Sequence, residues 1–152
     1  MFNKIVATAA ALCLVPCSGI SANAAENAVQ QVQPSSIVYS VGLINRCSVS
    51  LSASGREIYL SGYTYCTDTM KKVGITDIKI QRSSNNSSWS DYLPADDLIA
   101  ENTTSYDESN VKIGSVVGGY YYRITCKHYA KEPGFFGKSE SISNTSNSIY
   151  VP

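Results

Sequence analysis

The segment from Cys47 to Ser54 alternates strictly between apolar and polar residues. Its odd-numbered positions hold Cys47, Val49, Leu51 and Ala53, and its even-numbered positions all hold serine. Successive side chains of a β-strand point to opposite faces, so this order buries one face and exposes the other. An α-helix would spread the same apolar residues around its circumference. The segment therefore predicts a strand with one buried face.

The rest of the chain repeats this pattern in short pieces separated by turn-forming residues. After a turn at 54–56, Ile58 and Leu60 continue the alternation toward Cys66. Further runs of β-branched and aromatic residues, which favour strands, lie at 75–82, 89–93, 103–111, 120–129 and 141–151. Residues 94–102 are acidic, and a short strand or a helical turn both remain open there. About seven short strands separated by turns predict an all-β fold, an antiparallel β-sandwich.

The second half of the chain carries a family resemblance. Residues 104–107 lead through a turn into 120–126, where aromatic, aliphatic and small residues alternate. This arrangement resembles the second half of a fibronectin type III domain, an immunoglobulin-like sandwich. The resemblance implies that Tyr120 takes the tyrosine-corner position and that Tyr122, Ile124 and Cys126 face the core. A true immunoglobulin domain would carry its corner tyrosine where Ile124 stands, so the fibronectin-like version is preferred.

A second resemblance concerns residues 80–89, 119–125 and 141–148. They are similar to segments of small secreted bacterial proteins whose function is uncharacterised. The likeness covers roughly residues 46–152. It implies an architecture and no activity, because function belongs to sites rather than to folds.

The N-terminus has the order of a secretory signal. Lys4 precedes an apolar run at 5–15, and the small residues Ala22-Asn23-Ala24 follow. A positive, an apolar and an A-x-A segment in this order are typical of a cleaved export signal, so we expect a secreted, extracellular protein. An alternative within the same stretch is lipid attachment at Cys17, against which Pro16 argues.

These boundaries predict the domain organisation. We expect a signal peptide at 1–24, a flexible leader at 25–36 and one β-sandwich domain at 37–152. The leader is assigned to 25–36 because its glutamine, serine and proline residues are too polar and irregular to pack into a core.

Charge and hydropathy argue against two classes of partner. Without the Lys4 of the signal, 11 basic and 12 acidic side chains remain, a net charge of 11 − 12 = −1. Nucleic-acid affinity comes mainly from Lys and Arg displacing phosphate counterions, so we expect no nucleic-acid partner. Beyond the signal no stretch is apolar over the ~20 residues of a membrane-spanning helix, so we expect no stable membrane insertion. We expect a monomer.

Three cysteines remain after the signal, namely Cys47, Cys66 and Cys126. An odd number in an exported protein implies at least one unpaired thiol or an intermolecular bridge. A disulfide between Cys66 and Cys126 is the first choice, because their separation suits a bridge between two facing sheets. Three reduced thiols in the core are the alternative. With no C-x-x-C pair and a single histidine, we expect no metal site.

The search for catalytic residues yields no site. His128 is the only histidine, and no G-x-S-x-G nucleophile motif accompanies it. Cys126 shares its face two residues away, but a core position argues against a reactive thiolate. The carboxylates at 96, 97, 101, 107 and 108 are better explained as a solvated acidic edge than as a glycosidase pair. We expect no catalytic residue and no cofactor.

Two groups of aromatic residues are candidate binding surfaces. Phe135 and Phe136 stand together in a loop framed by Pro and Gly, between Lys131 and Lys138. Such a loop either presents an interface anchor or turns one ring back to cap the core. The second group, Tyr59, Tyr63 and Tyr65, shares the face opposite Ile58 and either stacks on a ligand or serves cross-strand packing. An open edge strand is a third route to a partner.

We therefore expect a secreted, non-enzymatic module that binds an extracellular protein or glycan. The first alternative is a secreted toxin-like or antimicrobial effector, in which the phenylalanine loop inserts into a lipid surface. The near-neutral charge weakens this alternative, because such proteins usually carry excess Lys and Arg. The second alternative is a small secreted hydrolase built around His128.

Overall fold

The computed structural model describes residues 37–152 and contains only β-strands and their connections. The signal peptide at 1–24, the leader at 25–36 and the alternative lipid site Cys17 lie outside the described residues. Eight strands follow one another along the chain: β1 Val38–Tyr39, β2 Ile44–Ser54, β3 Glu57–Ser83, β4 Ser90–Pro94, β5 Leu98–Ser115, β6 Tyr120–Lys131, β7 Ser139–Thr145 and β8 Ile149–Val151.

All eight strands belong to one antiparallel sheet that curls into a half-barrel. The path through the sheet is β1-β2-β3-β6-β7, while β4 and β5 pair with β3 and β8 pairs with β6. The all-β, antiparallel prediction is therefore confirmed. The strand boundaries differ from the seven predicted strands in two places. Two of the predicted strands are continuous in β3, and the C-terminal segment forms two strands, β7 and β8.

Strand β3 forms the spine of the half-barrel. Its 27 residues pair with β2 in their first part and with β4 and β6 in their second part, and β5 follows both parts. Between Tyr65 and Met70 the register with β5 shifts, because β5 advances only from Ser105 to Thr103. The extra residues on β3 form a bulge, and bulges bend a strand. This bend turns the second part of β3 over the first.

The interior is made by alternate side chains, as the sequence pattern predicts. Ile58 and Leu60 of the first part of β3 are fully buried, as are Tyr122 and Ile124 of β6. The two parts of β3 approach closely at Gly62, since a Cβ added there would lie 2.8 Å from the Cδ1 atom of Ile75. The prediction that Tyr122, Ile124 and Cys126 face the core is confirmed.

Two polar side chains hold the half-barrel across its open seam. The Glu140 carboxylate of β7 accepts a hydrogen bond from the Ser40 hydroxyl at 3.0 Å and another from the Ile44 amide at 2.9 Å. Asn147 accepts from the Leu51 amide at 2.9 Å and donates to the Leu51 carbonyl at 3.0 Å. These contacts connect the two ends of the sheet path, which no strand pairing joins.

The tyrosine that bonds back to its own chain is Tyr122 rather than Tyr120. Its hydroxyl donates to the Val117 carbonyl at 2.7 Å, five residues upstream. Tyr122 lies on the inward face of β6, so its ring is buried in the core while its hydroxyl bonds to this carbonyl. Tyr120 instead lies beneath the guanidinium of Arg82, which is 4.5 Å from its ring centre.

Candidate functional site

The β6–β7 loop projects the two phenylalanines from one end of the half-barrel. The rings of Phe135 and Phe136 are 94% and 92% exposed, and they contact each other edge to face at a centroid distance of 5.0 Å. Neither ring folds back over the core. Lys131 at the start of the loop is half-buried and Lys138 at its end is exposed.

Backbone hydrogen bonds close the base of this loop. The Glu132 amide donates to the Lys138 carbonyl at 2.9 Å, and the Glu132 carboxylate accepts from the Lys138 amide at 2.9 Å. Gly134 adopts a φ of 90°, a left-handed conformation that L side chains rarely take. The chain therefore turns sharply while the Phe135–Phe136 pair remains outside.

A third apolar side chain, Val41, lies at the same end of the fold. It is fully exposed in the β1–β2 connection. The neighbouring Gly42 lies against Glu140, whose strand β7 starts directly after the phenylalanine loop. We call Val41, Phe135 and Phe136 the apolar tip. Sequence analysis missed Val41 because a single apolar residue in a short connection carries no periodic signal.

The predicted tyrosine group lies on the outer face of β3, opposite Ile58 and Leu60. Tyr59, Tyr63 and Tyr65 are each half-buried. The guanidinium of Arg46 lies 4.7 Å from the ring centre of Tyr65 and 5.8 Å from that of Tyr63. These rings therefore already have a cationic partner within the protein.

Hydrogen bonds fix two of these tyrosines further. The Tyr59 hydroxyl donates to Glu57 at 2.6 Å, and the Tyr65 hydroxyl donates to Asp107. Each bond stabilises the protonated phenol and raises the pKa of its tyrosine. Glu57 also contacts the Lys112 ammonium, which lowers the pKa of the Glu57 carboxyl. The tyrosines of this face therefore already have partners within the protein. The rings of Tyr63 and Tyr65 contact each other and Arg46, and Tyr59 bonds to Glu57.

His128 is fully buried between the two parts of the sheet. The Thr64 hydroxyl donates to the Gly74 carbonyl at 3.0 Å, which leaves its oxygen to accept from the His128 Nδ1 at 2.8 Å. The other ring nitrogen, Nε2, accepts from the Asn144 side-chain amide at 3.4 Å. Burial disfavours the charged form and lowers the pKa of His128 to about 4. Burial thus keeps the imidazole neutral, and a hydroxyl and an amide bond to its two nitrogens.

The three cysteines within residues 37–152 are free thiols, so the predicted bond between Cys66 and Cys126 is not formed in the structure. The charge of a Cys47 thiolate would raise the pKa of Cys126, and the Glu140 carboxylate raises the pKa of Cys47 and of Cys66. Burial is the main cause that raises the pKa of Cys47 and of Cys66 to about 11, and that of Cys126 to about 12. These are protonated, weakly nucleophilic thiols at neutral pH.

The acidic residues of the expected edge are all exposed, and none of them converges on a shared cleft with the buried His128. Asp96 and Asp97 lie in the β4–β5 connection, and Glu101, Asp107 and Glu108 follow on β5. Glu101 pairs with Lys72 at 3.5 Å. Within residues 37–152 no group of three or more His, Cys, Asp or Glu side chains is placed to hold a metal ion.

Comparisons of the chain with protein-family models, curated proteins and solved structures found no match. In the part of the chain that the structure describes, no helix is long and apolar enough for a membrane crossing.

Proposed function

We propose that this protein is a secreted, non-enzymatic binding module whose apolar tip engages an extracellular partner protein. The observation that carries this proposal is the exposure of both phenylalanine rings at the end of a loop closed by hydrogen bonds. Exposed apolar groups that cluster at one place mark interaction sites. Aromatic residues are enriched at the centres of protein interfaces.

The closed loop favours binding energetically. Ordering a mobile loop on association costs free energy, and this cost weakens the resulting complex. In this protein the hydrogen bonds between Glu132 and Lys138 already hold the loop before a partner arrives. Most of the apolar area of Phe135 and Phe136 is then available to a complementary pocket.

Charges around the tip favour a protein partner over a lipid surface. Lys131 and Lys138 flank the phenylalanines, but Glu132 and Glu140 lie within four residues of them as well. An apolar centre with a rim of both charges is typical of protein interfaces. Proteins that bind anionic lipid surfaces carry an excess of Lys and Arg, so the toxin-like alternative has weaker support.

The proposed secretion rests on the sequence, and the proposed type of fold rests on the sequence and the geometry together. Export is inferred from the signal-like residues 1–24. An open form of the fibronectin type III-like sandwich is supported by the Tyr122 hydroxyl bonding back to Val117 at 2.7 Å. The hydrolase alternative finds no support around His128, which bonds to Thr64 and Asn144 and to no carboxylate of the described residues.

The test is a capture experiment in the extracellular medium of the producing cells, with residues 25–152 as bait. The variant Phe135→Ala/Phe136→Ala should lose at least about 2 kcal/mol of affinity for the partner that the unaltered bait enriches. The matched control is Leu93→Ala/Val117→Ala, which also shortens two exposed apolar side chains, but away from the tip.

Two outcomes would contradict the proposal. In the first, Phe135→Ala/Phe136→Ala binds the same protein with full affinity, whereas the control Leu93→Ala/Val117→Ala no longer binds it. In the second, the unaltered protein sediments with vesicles of anionic phospholipid and the tip variant does not. The second result would favour the toxin-like alternative.

A further inference from the structure

A second surface, independent of the apolar tip, lies on the outer face of the half-barrel over β3, β6 and β7. It contains two hollows of about 450 Å³ and 390 Å³, and both are bordered by Asp77 and Lys127. The two side chains form an ion pair at 2.7 Å. The hollows therefore form one groove that this ion pair crosses, which we call the polar groove.

The groove is centred on a bulge with an unusual backbone. The β3–β6 register shifts between Thr76 and Lys79, where β3 has one residue more than β6. Asp77 occupies this bulge with a φ of 51°, a conformation that costs energy for a residue other than glycine. The Asp97 carboxylate accepts a hydrogen bond from the Asp77 amide at 2.9 Å and fixes this conformation. Bulges of this kind re-aim side chains next to binding sites.

Every charged side chain that lines the groove is already neutralised or hydrogen-bonded by the protein itself. Lys127 pairs with Asp77, Lys79 pairs with Asp91 at 3.2 Å, and Lys72 pairs with Glu101. Asp97 accepts the backbone hydrogen bond described above. Counted with Asp91 and Glu101, the three lysines face four carboxylates, a net charge of 3 − 4 = −1. The groove thus has no excess of positive charge to attract an acidic ligand.

The remaining lining groups suit a ligand rich in hydroxyls. Thr125, Ser143 and Thr145 line the larger hollow, and their positions are exposed or half-exposed. Their hydroxyl groups both donate and accept hydrogen bonds, as sugar hydroxyls do.

The smaller hollow adds an apolar wall. Strand pairing places Ile99, Gly74, Tyr129 and Ser141 in one row across four strands. Gly74 lets β5 pass close to β3, since an added Cβ would collide with the Leu98 carbonyl oxygen. Ile99 and the half-exposed ring of Tyr129 both line the hollow. A ring presented in this way packs against the apolar face of a sugar ring while the hydroxyls around it bind the sugar edges.

We propose that the polar groove binds a neutral polysaccharide, with Tyr129 as the stacking residue and Asp77 with Lys127 as the central polar contact. The two connected hollows extend along β6, so the ligand is a chain of several sugar units rather than a single sugar. This site is separate from the apolar tip, and either can fail without the other.

The test is affinity electrophoresis of the purified protein through native gels that contain one polysaccharide each. The gels carry soluble β-glucan, xylan or mannan as neutral probes and polygalacturonate as an acidic probe. The protein should be retarded by at least one neutral probe. Tyr129→Ala should weaken this retardation at least about tenfold, and Asp77→Asn, which tolerates the left-handed backbone, should also weaken it.

Two further variants separate groove binding from folding and from the tip. Ser143→Glu places a charge at an exposed groove position and should also abolish retardation, while its urea unfolding curve stays unchanged. Phe135→Ala/Phe136→Ala should be retarded as strongly as the unaltered protein. The inference is overturned if no neutral probe retards the protein, if only polygalacturonate does, or if all three groove variants migrate like the unaltered chain.

Discussion

The buried imidazole of His128 makes the stability of the protein depend on pH in a defined window. Its pKa is lowered to about 4 in the folded protein, against an ordinary value of 6.5. The unfolded chain therefore takes up a proton at a pH where the folded protein does not. The stabilisation is fully present above pH 6.5 and is lost as the pH falls toward 4.

The magnitude follows from the two pKa values. At about 1.36 kcal/mol per pH unit, the whole effect is about 3 kcal/mol, reached below pH 4. Between pH 7 and pH 5 the loss is about 2 kcal/mol, a large part of the net stability of a small domain. The carboxyls of Glu57, Asp77 and Asp91 have lowered pKa values, so they contribute mainly below pH 5. The interval from pH 7 to pH 5 therefore reports on His128.

The assay is urea unfolding at pH 7 and at pH 5, followed by tyrosine and tryptophan fluorescence. The unaltered protein should lose about 2 kcal/mol between the two conditions. His128→Gln is less stable at pH 7 but should show almost no further loss at pH 5, because the only histidine is gone.

A second measurement does not require the variant to fold. The chain has one histidine, so its imidazole carbon protons give one proton NMR signal each to follow. In the native protein these signals should not shift between pH 7 and pH 5. A native titration midpoint near 6.5 would refute a buried, neutral imidazole bonded to Thr64 and Asn144.

Two further predictions concern the seam and the thiols. Glu140→Ala removes both hydrogen bonds across the seam and should lower the free energy of unfolding by about 2 kcal/mol in urea, whereas the exposed Glu108→Ala should change it by less than about 0.5 kcal/mol. Equal effects of the two changes would show that the seam contacts contribute nothing. At pH 8 iodoacetamide should label Cys126 at least about a hundredfold more slowly in the native protein than in urea. The reason is that only a small fraction of the Cys126 thiol is ionised in the folded protein. Mass spectrometry checks this, and a Cys126 that stays unlabelled in urea until reductant is added would reveal a disulfide.

The local elements of the fold could be predicted from the sequence because alternation is a local signal. The apolar positions of 47–51 and 122–126 give the buried faces of β2 and β6 directly. Ala53 continues the alternation in the sequence but is exposed near the end of β2. The continuity of β3 through 66–69 could not be predicted, since Thr67, Asp68 and Thr69 are polar and exposed and resemble a loop. What keeps this segment extended is contact with distant parts of the chain, including the bond from the Thr67 amide to the Leu43 carbonyl at 3.1 Å.

The candidate site was predictable only in part for the same reason. The Pro and Gly residues around Phe135 and Phe136 indicate an exposed loop, and the loop is there. Whether a ring returns to the core depends on the space that distant segments leave at this end of the fold, and no local pattern records that. The groove around Asp77 and Tyr129 depends on strand register, which brings together residues about fifty positions apart in the sequence.

The undivided course of β3 has a consequence for how the protein tolerates breaks and insertions. Thr67 to Thr69 look like a favourable place to nick the chain or to graft a tag, since all three are polar and exposed. Yet they join the two parts of β3, so added length there would disturb the register in which β5 pairs with both parts. The connection at 84–88, which is equally exposed and follows the end of a strand, is the place where the molecule can be lengthened without disturbing that register.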